Sequence, residues 1–134
     1  MKNLYLFLIL FLSLACENKE YNHIGKWESE KEAVFSYLNF KKNGFCDLGI
    51  RGYNLIGENY SIDGKKGKLN YVIKADNREF EIDIIMTNDR SKQKAYLYGI
   101  GKFENENVMK IAFDDKERPS FFTKENSITL VKKD

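Results

Sequence analysis

Two cysteines, one histidine and a group of carboxylates are the side chains in this sequence that could do chemistry. Cys16 and Cys46 are the only thiols, and His23 is the only histidine. A zinc site usually needs several Cys or His ligands, and a serine triad needs a histidine with two partners. We therefore predict a surface role for His23, with no metal site and no cofactor.

Glu79, Glu81 and Asp83 alternate with apolar residues, so they share one face of a predicted strand. Paired carboxylates can divide acid–base work when their surroundings push their pKa values apart. Nothing in the flanking sequence marks one of the three for a raised pKa. We predict a solvated outer face that discourages edge pairing, and no enzymatic activity.

The segment Gly64-Lys65-Lys66-Gly67-Lys68 resembles a phosphate-binding loop in composition only. Its spacing is not that of a Walker motif, and no helix follows to present its N-terminus to a phosphate. We predict a hairpin tip, which would touch anionic lipid headgroups if it faced a bilayer.

The elements that must position these residues are strands, because apolar and polar residues alternate from Ile24 onward. Asn43-Gly44 and Asp63-Gly64 are strong hairpin signals, since both residue types tolerate positive φ. The candidate strands are 24–30, 33–40, 45–51, 55–62, 68–75, 78–87, 94–103, 107–114 and 127–133. Short strands joined mainly by tight turns predict an all-β fold, an antiparallel up-and-down β-barrel of about eight strands.

Gly25-Lys26-Trp27, at the start of the first predicted strand, resembles the glycine-x-tryptophan signature of lipocalins and lipocalin-like (calycin-type) proteins. In that family the tryptophan plugs one barrel end, and a basic residue of the last strand packs on its ring. Lys132 or Lys133 stands at the matching place, and such a contact contributes about 0.5–2 kcal/mol.

Further short motifs extend the resemblance to small bacterial lipocalin-like domains. Leu38-x-Phe40 before Asn43-Gly44 resembles their second strand and hairpin, and Arg118-Pro119 resembles their loop before the last strand. The resemblance implies a lipocalin-like domain over residues 23–134, with Gly25, Trp27 and Lys132 as its structural signature.

Aromatic residues are frequent on the predicted strands, and either a barrel core or a partly open apolar cavity would use them. A barrel of about eight strands is filled by side chains or holds one small ligand. The candidate cavity residues are Tyr71, Phe80, Ile82, Ile84, Tyr96, Tyr98, Phe113 and Phe121. In the second interpretation, Phe121-Phe122 would cap one mouth of the barrel.

Residues 1–15 have a basic start, a short apolar run and small residues before Cys16, which predicts a secretory signal peptide. Leu12-Ser13-Leu14-Ala15-Cys16 resembles a bacterial lipobox, which implies a lipidated Cys16 followed by a tether over residues 16–22. Ordinary cleavage after Ala15 is the alternative, and it would allow a Cys16–Cys46 disulfide in an oxidising compartment.

The charge balance predicts no nucleic-acid partner. The chain has 22 Lys and Arg against 20 Asp and Glu, a net charge of +2. The predicted partners are instead a membrane, reached through the N-terminal lipid, and a small apolar ligand.

These patterns together predict a lipid-anchored lipoprotein of the bacterial envelope that binds a small apolar ligand without enzymatic activity. Glu17 is not the aspartate associated with inner-membrane retention in some bacteria, which favours the outer membrane. The alternative is an envelope inhibitor or partner-binding protein that uses hairpin tips or the Phe121-Phe122 loop. A filled interior would favour this alternative, and a void with convergent polar groups would favour ligand binding.

Overall fold

Ten antiparallel strands form a single sheet in the computed structural model, which describes residues 21–30 and 33–133. The strands are β1 (Gly25–Ser29), β2 (Phe35–Phe40), β3 (Cys46–Ile50), β4 (Tyr53–Leu55), β5 (Tyr60–Ile62), β6 (Lys65–Asp76), β7 (Glu79–Asn88), β8 (Lys94–Asn105), β9 (Val108–Asp114) and β10 (Ser127–Lys133). The predicted signal peptide and Cys16 lie outside the described residues. Within them, no helix has the length and hydropathy that crossing a membrane requires.

The sheet curls into a nearly closed barrel. Its strand order is β4-β3-β2-β1-β10-β9-β8-β7-β6-β5, so β4 and β5 are its two edges. A seam of hydrogen bonds from β6 closes the barrel beside these edges. Tyr71 N donates to Gly44 O, in the β2–β3 connection, at 3.0 Å, and Leu69 N donates to Gly57 O, in the β4–β5 connection, at 2.7 Å. The predicted fold class, an all-β antiparallel barrel, is confirmed, with ten strands in place of about eight.

The strand predicted over residues 55–62 is divided by a bend at Gly57. The Gly57 N–H leaves the ladder and donates to the Asp47 carboxylate at 2.8 Å. A Cβ at this position would collide with the backbone carbonyl of Cys46, so glycine lets the chain pass close to β3. The bend leaves three-residue strands, β4 and β5, on its two sides.

Alternation along the strands separates the packed interior from the wet exterior. Along β7, Phe80, Ile82 and Ile84 are buried, whereas Glu79 and Glu81 are exposed. Burial of this alternating apolar set is the main term that favours folding. The buried core comprises Trp27, Phe35, Leu38, Phe40, Cys46, Leu48, Leu55, Tyr60, Leu69, Phe80, Ile82, Ile84, Phe103, Met109, Ile111 and Leu130.

Tight turns lie where the sequence predicts them. Asp63 and Gly64 have φ values of 49° and 77°, which suit the two central positions of a hairpin turn between β5 and β6. Gly44, in the connection between β2 and β3, has a φ of 87°.

The antiparallel order gives the barrel two distinct ends. We call the end formed by Tyr21, His23, Trp27, Phe103 and Lys132 the Trp27 end. We call the opposite end, formed by residues 63–68 and 88–94, the hairpin end. The connection over residues 115–126, which we call the strap, runs along the outside of β7, β8 and β9.

Candidate functional site

The Trp27 end is closed by the Trp27 side chain, which is fully buried. The indole Nε1 donates to His23 O at 2.8 Å, so the polar edge of the ring is satisfied. Lys132 Nζ lies 5.7 Å from the ring centroid, and Phe103 packs against the ring at 5.9 Å between centroids. Of the two candidate lysines, Lys132 is therefore the one that covers the indole.

Gly25 completes this arrangement because of its backbone. Its φ is 121°, a conformation that side chains rarely allow, and a Cβ there would lie 3.4 Å from Lys132 Cε. The three predicted signature residues, Gly25, Trp27 and Lys132, thus lie together at one barrel end.

His23 forms part of the closure and is not a plain surface residue. Its ring makes edge contacts with Phe40 at 5.8 Å and with Tyr71 at 5.6 Å. Burial lowers the pKa of His23, so the neutral ring is favoured in the folded protein. These contacts give the histidine a structural part at the base of the barrel.

The end of the predicted tether is held by the barrel. Tyr21 stacks on Phe103 with 5.2 Å between ring centroids, and Arg78 donates to the Tyr21 hydroxyl at 2.9 Å. Tyr21 lies two residues before the predicted domain start at His23. The ordered contacts of the domain therefore begin upstream of the predicted boundary.

Four of the predicted cavity residues point into the barrel and fill it. Phe80, Ile82 and Ile84 are 5%, 0% and 2% exposed. Phe113 packs on Phe35 at 5.3 Å between centroids, and its ring lies over Gly99. A Cβ at Gly101 would overlap the Phe80 ring, so the bare backbone of β8 makes room for these aromatic rings.

Tyr71 also points inward, but its hydroxyl is used at the Trp27 end. It donates to Lys41 O at 2.6 Å and lies 3.3 Å from the Nε2 atom of His23. Since the hydroxyl proton goes to the carbonyl, the histidine is the donor in the second contact. Apart from the polar atoms of Trp27, Cys46 and Tyr60, the described core buries no polar or charged side chain.

Tyr96 and Tyr98 lie on the outer face of the barrel, so their expected place in a cavity is corrected. Gly99 and Phe103 occupy the inward positions of β8, and strand alternation puts Tyr96 and Tyr98 on the other side. The two rings are parallel with 5.7 Å between centroids, and Tyr96 is 38% exposed.

Phe121 lies on the strap, beside the outer surface, and does not cap a mouth of the barrel. Its side chain is 68% exposed. With Phe122, Ile100, Glu79 and Glu81 it lines an open cleft of about 520 Å³ outside the sheet. The strap is thus folded down onto the wall of the barrel.

Arg118 fastens the strap to that wall, a role that the sequence analysis did not assign to it. Its Nη1 atom donates to Gly99 O at 2.8 Å and to Ile82 O at 3.2 Å. Its Nη2 atom donates to Asp83 Oδ1 at 2.7 Å, and its guanidinium lies 5.8 Å from the Tyr98 ring centroid. The Arg118-Pro119 motif was the only hint of this role in the sequence. The residues that Arg118 contacts are all distant from it in the chain, so the motif did not predict them.

The carboxylates of β7 lie beside the strap. Glu79, Glu81 and Asp83 all lie on the outer face, and Asp83 is engaged by Arg118. Glu81 lies 4.0 Å from Arg118 Nε. The ion pair between Asp83 and Arg118 therefore helps to hold the strap against the barrel wall.

Cys46 is a free thiol with no exposed surface. Burial raises its pKa to about 12, and the nearby Asp47 carboxylate adds to this effect. Because the thiolate is the reactive form, Cys46 is inert near neutral pH in the folded protein.

Among residues 21–30 and 33–133, no group of three or more His, Cys, Asp and Glu side chains could hold a metal ion. Comparison of the chain with protein-family models, curated proteins and solved structures finds no match. The described residues thus form an antiparallel β-barrel with a packed interior. One end is plugged by an aromatic ring, and a strap with exposed aromatic side chains lies on the outer surface.

Proposed function

We propose that this chain is a non-enzymatic, lipid-anchored protein of the bacterial envelope, at the outer membrane, that acts by binding another protein. Residues 1–15 would direct export, and Cys16 would carry the lipid. The observation that supports partner binding is the pairing of a filled barrel interior with a strongly exposed phenylalanine on a fastened strap. This favours the partner-binding alternative over storage of a small apolar ligand inside the barrel.

The cleft beside Phe121 indicates the chemistry of the partner. Its apolar walls are Phe121, Phe122 and Ile100, and its rim carries the carboxylates of Asp76, Glu79 and Glu81. A partner segment with an apolar side chain next to a lysine or arginine complements both features. Aromatic anchors with a charged surround are typical of protein interfaces.

Site-specific photo-crosslinking in cells tests the proposed interface. A photoreactive phenylalanine analogue at position 121 should capture an envelope protein through a segment that combines basic and apolar residues. The same analogue at Tyr53, which is 46% exposed, is the matched control and should not. The charge reversals E79K and E81K should abolish the cross-link. Equal capture from both positions, or capture through an acidic segment, would contradict the proposal.

The lipid anchor and the small-ligand alternative have separate tests. Labelled palmitate should enter the wild-type protein and not the Cys16→Ala variant.

Native mass spectrometry of residues 17–134 should show no co-purifying small mass, and an apolar fluorescent probe should not bind in a saturable way. A bound mass, lost when Ile84 is replaced by Phe, would restore ligand binding as the function.

A further inference from the structure

The hairpin end carries a concentration of positive charge that the rest of the molecule does not neutralise. Residues 63–68 and 88–94 together contain six cations, Lys65, Lys66, Lys68, Arg90, Lys92 and Lys94, and two carboxylates, Asp63 and Asp89. This is an excess of four positive charges in a chain whose total net charge is +2. All six cationic side chains are exposed, and none forms an ion pair with another described residue.

The two hairpins hold a cleft between them. It has a volume of about 610 Å³ and is lined by Gly64, Lys65, Lys66, Asn88, Asp89, Arg90 and Ser91. Three cations and one carboxylate face this space. The cleft is therefore concave, open to solvent and positively charged, which suits an anionic group.

Hydrogen bonds donated by backbone N–H groups fix the cleft walls. Asp89 N donates to Lys66 O at 2.9 Å, which ties the β7–β8 turn to β6. The Asn88 side chain accepts from the N–H groups of Arg90 and Ser91 at 2.9 and 3.0 Å. The Arg90 backbone is thus held in place before any ligand arrives, which lowers the ordering cost of binding.

An aromatic platform adjoins the cationic end on the outer face. In the sheet register, Lys68, Thr87 and Lys94 form one row across β6, β7 and β8. The next row ends in Tyr96, whose ring is stacked on Tyr98 and partly exposed. Successive rows of one face are separated by two residues, or about 7 Å. A sugar ring packed on Tyr96 would therefore have its charged substituents within reach of Lys94.

We propose that the hairpin end is a binding site for the sulfate or phosphate esters of an anionic polysaccharide. Unpaired Lys and Arg side chains recognise the ester oxyanions, and Tyr96 packs against the apolar face of a sugar ring. The site lies at the opposite end from Tyr21, where the N-terminal segment joins the barrel. It is also distinct from the cleft beside Phe121, so it can exist whether or not that cleft binds a protein.

The direction of the site favours a glycan over the bilayer to which the N-terminus would be attached. Only a few residues separate Cys16 from Tyr21, which packs at the Trp27 end. A lipid on Cys16 would hold the Trp27 end near the membrane and turn the cationic end away from it. With a lipid on Cys16, Gly64–Lys68 would face away from the headgroups.

Titration calorimetry at low ionic strength tests the assignment, with dextran sulfate oligosaccharide as the probe and unsulfated dextran as its control. The triple variant K65Q, K66Q and R90Q should weaken dextran sulfate binding by about tenfold, and rising salt should weaken the wild-type interaction. The triple variant K74Q, K102Q and K133Q removes equal charge from other exposed or partly exposed sites. It should change the affinity by less than about twofold.

Three further measurements distinguish a site for polysaccharide esters from a site for other anions. Tyr96→Ala should weaken dextran sulfate binding and leave binding of inorganic sulfate unchanged. Duplex DNA and vesicles containing phosphatidylglycerol should bind more weakly than dextran sulfate at equal charge concentration. Equal losses in the two triple variants would mean that attraction is non-specific and would overturn the proposal. Stronger binding of DNA or vesicles, or no binding of dextran sulfate, would also overturn it. Each variant is compared by its circular dichroism and melting temperature.

Discussion

The two ends of this barrel satisfy their charged and aromatic groups in opposite ways. At the Trp27 end the indole is fully buried, its N–H has an acceptor, and Lys132 covers its ring. At the hairpin end six cations lie exposed without an ion pair among the described residues. One end is therefore organised to hold the fold, whereas the other leaves its cations exposed to solvent.

This contrast extends to how the connecting segments are held. Close to the Trp27 end, Lys41 is paired with Asp47 at 3.3 Å and with Glu58 at 3.6 Å. Asp47 also accepts from Asn39 and from the backbone N–H at the Gly57 bend. The side chains there support one another and the barrel seam. At the hairpin end, backbone bonds and the short polar side chains of Asn88 and Ser91 shape the turns, and the six cationic side chains take no part in them.

The largest expected effect follows from removing the plug of the closed end. Trp27→Ala should lower the free energy of unfolding by about 3–5 kcal/mol, because a large buried ring leaves a cavity and unpairs the His23 carbonyl. Tyr53→Ala, which removes an exposed aromatic ring at the start of β4, is the matched control and should cost much less. Denaturant unfolding followed by circular dichroism measures both. Equal losses would mean that the Trp27 ring does not hold the closed end together.

A smaller effect is expected from the hydroxyl that ties Tyr71 to the closed end. Tyr71→Phe removes the donor to Lys41 O and the acceptor for His23, and should cost about 1 kcal/mol. Tyr96→Phe is the control, because the Tyr96 hydroxyl forms no hydrogen bond within the described chain. The difference between their urea midpoints measures the effect. An unchanged midpoint for Tyr71→Phe would show that water replaces the lost contacts.

The sequence allowed the strands and turns to be predicted, because alternation and positive-φ turns are local signals. The bend at Gly57 could not be predicted in this way, since it depends on the proximity of Cys46 and on capture by Asp47. The position of the strap could not be predicted either, because Arg118 donates hydrogen bonds to groups on β7 and β8 that are far away in sequence.

The sequence predicted the wrong face for two candidate cavity residues on β8, Tyr96 and Tyr98. Both faces of this strand carry apolar residues, with Leu97 on the inner face and Tyr96 and Tyr98 on the outer face. Alternation therefore gave no preferred face. Gly99 and Gly101 mark the inner face, because only glycine leaves room for the rings of neighbouring strands. That signal could be recognised only once the packing partners were known.

The smallest expected effect compares one lysine from each region. Lys41→Gln removes both ion pairs near the seam and should cost about 0.5–1 kcal/mol, since Lys41 and Asp47 are only 30% and 17% exposed in their side chains. Lys65→Gln removes a cation surrounded by other cations, so it should cause no loss and a slight gain at low salt. Raising the sodium chloride concentration should abolish the gain, because screening weakens repulsion between exposed charges. Urea unfolding of both variants at low and high salt measures these differences. A loss of stability in Lys65→Gln would mean that Lys65 has a structural partner. The positive charge at the hairpin end would then stabilise the fold and would not be there to bind a ligand.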